Sequence, residues 1–158
     1  MKNFLVGIVI AFIVCASDQW SKIFIFGLLD SKQLEVIEIF PFFSLVKVWN
    51  YGVSFGLFDN IQYGKFILLG VSSVITFALA IWLSKVENLY MASALGLIIG
   101  GAIGNMIDRF RFGAVADFLD VYVGNYHWPA FNVADSAVCV GVGLILLEGL
   151  FVREKKNV

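Results

Sequence analysis

Charge is scarce in this sequence and does not cluster. Of 158 residues only 15% are Asp, Glu, Lys or Arg, and the formal net charge is −1. A partner held through its phosphates needs Lys and Arg gathered on one face, so nucleic acid is excluded. Cysteine is equally sparse. Cys15 and Cys139 both lie in apolar runs, where a thiol behaves as a small hydrophobe, and neither a disulfide framework nor a redox compartment follows from them. With a single histidine, His127, there is no second His or Cys to build a zinc site, and its neighbours Tyr126 and Trp128 suit an interfacial aromatic belt. The serines have no base at plausible spacing, which leaves a Ser-His-Asp arrangement unsupported. No metal and no cofactor is expected.

What is present is apolar. Hydrophobic residues make up 60% of the chain and the mean hydropathy is +0.89, against roughly 45–50% apolar content in a soluble domain. The chain therefore belongs in a bilayer. Four segments, residues 4–26, 66–83, 89–107 and 133–152, each approach the 20 or so residues that cross a hydrocarbon core of about 30 Å. Spans must satisfy their own backbone groups, so all four are expected as helices. The start, Lys2 followed by Phe4 to Ala16, imitates a cleavable secretory leader but lacks a good small-residue pattern before a cut, and reads as the first span. The expected class is an all-α integral membrane protein, a single domain over residues 1–158, with a β accessory.

That accessory is residues 33–58, where apolar residues mix with Glu35, Glu38 and Lys47 in partly alternating order. The pattern predicts strands broken at Pro41, lying on the membrane interface, receiving an extended peptide at their edge, or simply packing on the helices. A second long loop, residues 108–132, is aromatic and carries Gly113, Gly124 and Pro129 as turn residues. Both long loops fall on one side of the membrane. Lys2, Lys85, Arg153, Lys155 and Lys156 fall on the other, so the positive-inside rule puts both termini in the cytoplasm. Trp20, Trp49 and Trp128 would then anchor the outer interface.

Ionisable groups near membrane depth are costly and usually pair or line a polar cavity. Asp18 sits about 21 Å along the first helix from Phe4, with Lys22 one turn later on the same face, a favourable i, i+4 order. An ion pair fixing the helix near the interface is the simplest reading. Gly96, Gly100 and Gly104 recur every fourth residue and give the third helix a smooth face for close packing. Beyond them Asn105, Asp108 and Arg109 share one face, either as a polar helix end with local contacts to Arg109 or as support for a site. Asn132 and Asp135 have the spacing of a helix N-terminal cap. Asp117 and Asp135, however, both belong to helix ends that border the same loop, so two carboxylates can converge near the membrane surface. Such a pair shares a proton, one member acting as base and the other as acid, and can activate water for peptide hydrolysis. A proton-coupled transporter would need carboxylates near the midplane and usually internal repeats; neither is seen. A structural assembly factor would use the carboxylates only as caps and ion pairs.

Five blocks carry a resemblance to a known family. They are Asp18-Gln19-Trp20-Ser21-Lys22, Asn50-Tyr51-Gly52-Val53-Ser54-Phe55-Gly56, the run Gly100 to Arg109, Gly113 to Phe118, and Phe131 to Ser136. In this order they resemble the signature blocks of the lipoprotein signal peptidases (signal peptidase II). The resemblance implies a multi-pass enzyme of the bacterial inner membrane. It would remove signal peptides from prolipoproteins by cutting before a diacylglyceryl-modified cysteine. It further implies Asp117 and Asp135 as the catalytic dyad of an aspartyl peptidase. Asn50, Asn105, Arg109 and Asn132 would be polar supports, Asp18 a structural acid, and Gly52, Gly101, Gly104 and Ala134 small residues that keep the site open. The outer strands resemble the family's extracytoplasmic cradle. Membrane lipids and globomycin-type inhibitors are the further partners implied. Ser54 stands where the family more often has Ala.

Overall fold

The computed structural model describes residues 2–52 and 64–155. Within them the elements run α1 (Lys2–Lys32), β1 (Val36–Phe40), β2 (Phe43–Asn50), α2 (Gly64–Lys85), α3 (Leu89–Phe112), β3 (Val115–Val123), β4 (Tyr126–His127) and α4 (Val133–Lys155). All four helices are long and apolar enough to cross a membrane, each at the position the hydropathy pattern predicts. Their lipid-compatible faces are bare: Phe12, Ile23, Phe77 and Leu146 are among the large apolar side chains left exposed.

The helix α3 is the hub, packed on both α1 and α4. Glycine makes those approaches possible. A Cβ at Gly96 would stand 2.5 Å from the Gly7 carbonyl oxygen, and one at Gly100 would stand 2.5 Å from that of Ala11, both on α1. Gly101 turns the other way, where a Cβ would strike the Ala134 carbonyl of α4. The small-residue stripe is thus two-sided. Ala11, Leu83, Ala92, Leu95 and Ile99 close the apolar core on the half of the bundle away from the sheet.

The sheet is larger than the sequence pattern predicts. Its order is β1-β2-β3-β4, all antiparallel, so the second long loop supplies two strands as well as turns. Two expectations are corrected here. Residues 108–112 continue α3 rather than beginning a loop, and the helix ends on Gly113, whose left-handed backbone (φ 77°) lets its N–H donate to the Arg109 carbonyl. Asp117 lies on a strand, β3, and not at a helix end. The β1–β2 hairpin turns at Pro41 and Phe42 as expected; the remainder of that loop, including Val53 to Gly56, lies outside the described residues. The sheet is pinned to the bundle by Trp49, which packs edge-on to Phe26 of α1 and tilted against Phe112 of α3, at centroid distances of 5.3 Å in both cases. Lys47 adds an ion pair to Asp30 at 2.5 Å.

Candidate active site

The site forms where α1, α3, β3 and the start of α4 meet beneath the sheet. In the β2–β3 ladder Val48 opposes Asp117, so Asn50, two residues on, shares Asp117's face. The Asn50 side-chain amide donates to Asp117 Oδ2 at 3.1 Å. From α4's first residues Asn132 Nδ2 donates to Asp117 Oδ1 at 2.6 Å. Asp117 is 1% exposed.

Asp135 is held by different donors. Asn105 Nδ2 donates to its Oδ1 at 2.7 Å, and the Asn132 backbone N–H donates to its Oδ2 at 3.3 Å. In return the Asp135 N–H donates to Asn132 Oδ1 at 2.9 Å. The expected cap is therefore present, as a reciprocal capping box, and the same residues join the two carboxyl groups. Each of the four carboxyl oxygens accepts an N–H. A cavity of about 610 Å³ opens beside them, lined by Asp135, Asn105, Arg109, Asn50, Trp128 and Ser136 among others. Asp135 faces this cavity, while Asp117 is not among its lining residues and sits behind Asn50 and Asn132.

Asp117 is displaced from the ordinary carboxylate range. Burial first, and then the nearby negative charge of Asp135, push Asp117 up from an ordinary 3.8 to about 7; the hydrogen bonds from Asn50 and Asn132 and the charge of Lys22 oppose this without cancelling it. A carboxyl group that is about half protonated at neutral pH thus lies next to one that opens on a cavity.

The other predicted positions surround this pair. Asp18 is fully buried, and its Oδ1 accepts the Ala134 N–H at 2.9 Å, so α1 satisfies a free donor in the first turn of α4. Gly104 allows that approach, since a Cβ there would lie 2.6 Å from Asp18 Oδ2. Ala134 is fully buried. Arg109 Nη2 donates to the Gly52 carbonyl at 3.1 Å. Among the described residues the Arg109 side chain makes no hydrogen bond to Asn105 or Asp108, and its buried Nε has no partner.

Three residues of the surroundings carry more than the sequence pattern assigned them. Lys22 reaches Asp108 Oδ2 as well as Asp18, both at 2.7 Å. Asp108 in turn accepts the Ala116 N–H at 3.2 Å. Gln19 donates to Asp108 Oδ1 at 2.9 Å and to the Gly104 carbonyl at 3.2 Å. A polar Gln19 beside Asp18 within the first apolar span was the available signal. His127 stays apart from the site: its Nδ1 contacts Asp120 at 2.9 Å and its ring stacks on Tyr122. Among the described residues no group of three or more His, Cys, Asp and Glu could hold a metal ion.

The chain is similar to proteins of known kind. A family model described as Signal peptidase (SPase) II matches residues 10–151. A lipoprotein signal peptidase of Anaplasma phagocytophilum is 38% identical over 157 residues, which cover 99% of each chain. One of Syntrophotalea carbinolica is 45% identical over 151 residues, 93% of this chain and 92% of its own. Among solved structures, a bacterial membrane enzyme determined by the in meso method at 2.3 Å superposes with a TM-score of 0.78 at 29% identity, covering 96% of this chain and 90% of the other. A second, at 1.9 Å, gives 0.78 at 30% identity, with 92% of each covered.

Proposed function

This chain belongs to the signal peptidase II family, a protease with four helices fit to span a membrane that acts in removing signal peptides from prolipoproteins, and from that premise we propose that it works as an aspartic endopeptidase through Asp117 and Asp135. The observation that carries the proposal is the bridging of the two carboxyl groups by Asn132, whose side chain donates to one and whose backbone donates to the other. Asp117, held near a pKa of 7, keeps the shared proton and acts as the acid. Asp135, facing the cavity, takes a proton from the attacking water. The tetrahedral intermediate then collapses with cleavage of the C–N bond as Asp117 protonates the leaving amine, and the proton that Asp135 took from water passes back to Asp117 to restore the starting state.

Asn50, Asn105 and Asn132 orient the carboxylates. Arg109 keeps the Gly52 segment in place, and its guanidinium stays charged at any working pH, so it supports the site without moving protons. Asp18, Gly101, Gly104 and Ala134 fix the first turn of α4 against α1 and α3. Cleavage falls before a diacylglyceryl-modified cysteine, with the lipid chains in the bilayer. A globomycin-type cyclic peptide would compete for the same cavity. The chain acts as one domain. Both termini face the cytoplasm and the sheet forms a cradle outside, with the dyad near the outer leaflet of the inner membrane. The charge-dense tail and the side shared by both sheet-forming loops support this orientation.

The deciding experiment is cleavage of a diacylglyceryl-modified peptide by purified protein in the presence of a metal chelator, with Asp117→Asn alongside. Retained wild-type activity and a dead variant are expected. Chelator-sensitive cleavage, or an active variant, would remove the dyad. Labelling of a cysteine probe at position 155 from the outside would overturn the orientation.

A further inference from the structure

Lys22 is nearly fully buried and its ammonium has three protons to place. Three acceptors meet it: Asp18 Oδ2 and Asp108 Oδ2, each at 2.7 Å, and Asn105 Oδ1 at 3.1 Å. An ammonium only donates. Whatever faces it must present oxygen, and for the amide of Asn105 that choice decides where the amino group points. With Oδ1 held by Lys22, and also accepting from Asn132 Nδ2 at 3.1 Å, Nδ2 has one place to go, the 2.7 Å bond to Asp135 Oδ1. Turned the other way, Asn105 would set its oxygen against a carboxylate oxygen and its amino group against two donors.

We propose that Lys22 is a positioning residue for the peptidase site: it fixes the amide orientation of Asn105, and through Asn105 the direction in which Asp135 presents its carboxylate to the cavity. The inference rests on the dyad reading given above. It assigns Lys22 a role beyond the ion pair with Asp18. Asp18 and Asp108 hold the ammonium in place by taking its other two protons. Both are themselves tied down, Asp18 by the Ala134 N–H and Asp108 by the Ala116 N–H and Gln19. The donor direction therefore passes from Lys22 on α1 through Asn105 on α3 to Asp135 on α4, and Lys22 itself does not line the cavity.

Replacing Lys22 alone would leave two buried acids without their cation, so the test is charge-balanced. Lys22→Met combined with Asp108→Asn removes one charge of each sign. In folded protein, judged by its thermal transition in detergent, kcat on a diacylglyceryl-modified peptide should fall about 10²-fold, the scale of a misplaced reacting group. KM should change far less than kcat, because no side chain that lines the cavity is replaced. Asp108→Asn alone still offers Lys22 an amide oxygen, so the ammonium keeps its contact to Asn105, and kcat should fall by about tenfold at most, well short of the loss in the double variant. A double variant with near wild-type kcat, or an equal loss in Asp108→Asn alone, would overturn the proposal. If the double variant does not fold, Lys22→Arg decides, since a guanidinium also only donates: kcat within about tenfold of wild type supports the inference, and a larger loss in folded protein sinks it. Asp117→Asn in the same assay keeps the two readings apart. If it is active the dyad itself is wrong; if it is dead while the double variant is active, only the role of Lys22 falls.

Discussion

The two ends of the helix bundle are held by different forces. At the end away from the sheet, Ala11, Leu83, Ala92, Leu95 and Ile99 form an aliphatic core, and the polar contacts are peripheral. Asn88 caps α3 by accepting the Tyr90 N–H at 2.9 Å and reaches Glu148 of α4, while Asn3 donates to the Glu87 carbonyl. At the sheet end the buried residues include Asp18, Lys22, Asp108, Asp117 and Asn132, linked into one network through Asn105. Removing a partner from a buried ion pair costs about 3–5 kcal/mol because a bare charge remains. Losing a neutral contact at the far end costs about 1 kcal/mol. A membrane protein gains little by burying charge for its own sake, since lipid already solvates its apolar helices. The concentration of charge at one end marks where the chemistry is, and the far end supplies the rigid frame.

The comparison breaks most visibly if the dyad can be neutralised without consequence. Asp117→Asn and Asp135→Asn should each cut turnover by about 10²–10⁴-fold in folded protein. The double variant should be barely worse than either single, because members of one unit are not additive. Steady-state kinetics with a parallel thermal melt would check this, and Asp135→Asn that unfolds the protein would reduce Asp135 to a helix cap.

A smaller effect concerns stability. With its folded value raised to about 7 from 3.8, Asp117 binds its proton more tightly in the folded than in the unfolded chain. Its contribution is fully present below about pH 4 and is lost as pH rises through about 7, by at most about 4 kcal/mol at 1.4 per unit. The melting temperature should therefore decline across that window in wild type, and Asp117→Asn should flatten the decline. An unchanged slope in the variant would place the titration elsewhere.

Third is the frame. Gly96→Ala forces a Cβ onto a backbone oxygen of α1 and should cost about 1–3 kcal/mol. Gly70→Ala meets nothing within 4 Å and should not lower the melting temperature at all. Equal melting temperatures for the two variants would mean that α1 and α3 are not held by close contact. The smallest expected effect is at Arg109. Losing its bond to the Gly52 carbonyl in Arg109→Ala should lower kcat about tenfold, and Arg109→Lys less. Full activity in Arg109→Ala would leave Arg109 as a polar helix end.

Much of this contrast was legible in the sequence. Length and apolarity alone mark the four helices, and the spacing of Asn132 and Asp135 marks the cap. The strand β3 was hidden because its acids, Asp117 and Asp120, fall three apart and break the alternation that betrays a half-buried strand. Most of β3 is buried on both faces, so no such alternation was required. The full extent of α3, past Arg109 to Phe112, was missed for a related reason. A hydropathy run ends at the first charges, while the helix continues because those charges have buried partners. The bond from the Ala134 N–H to Asp18 joins residues 116 positions apart, and no local pattern announces it.

Asn132 has a consequence for how this protein can change. Its backbone and side chain cap α4, and its single amino group also serves Asp117 and Asn105. A substitution there removes the start of a helix and the alignment of the acids in one step, so folding and turnover cannot be traded against each other at this position. An inhibitor whose affinity depends on Asp135, which Asn132 aligns, would meet a target with few viable escape mutations, whereas one resting on Trp128 or Ser136 at the cavity wall would be evaded more easily.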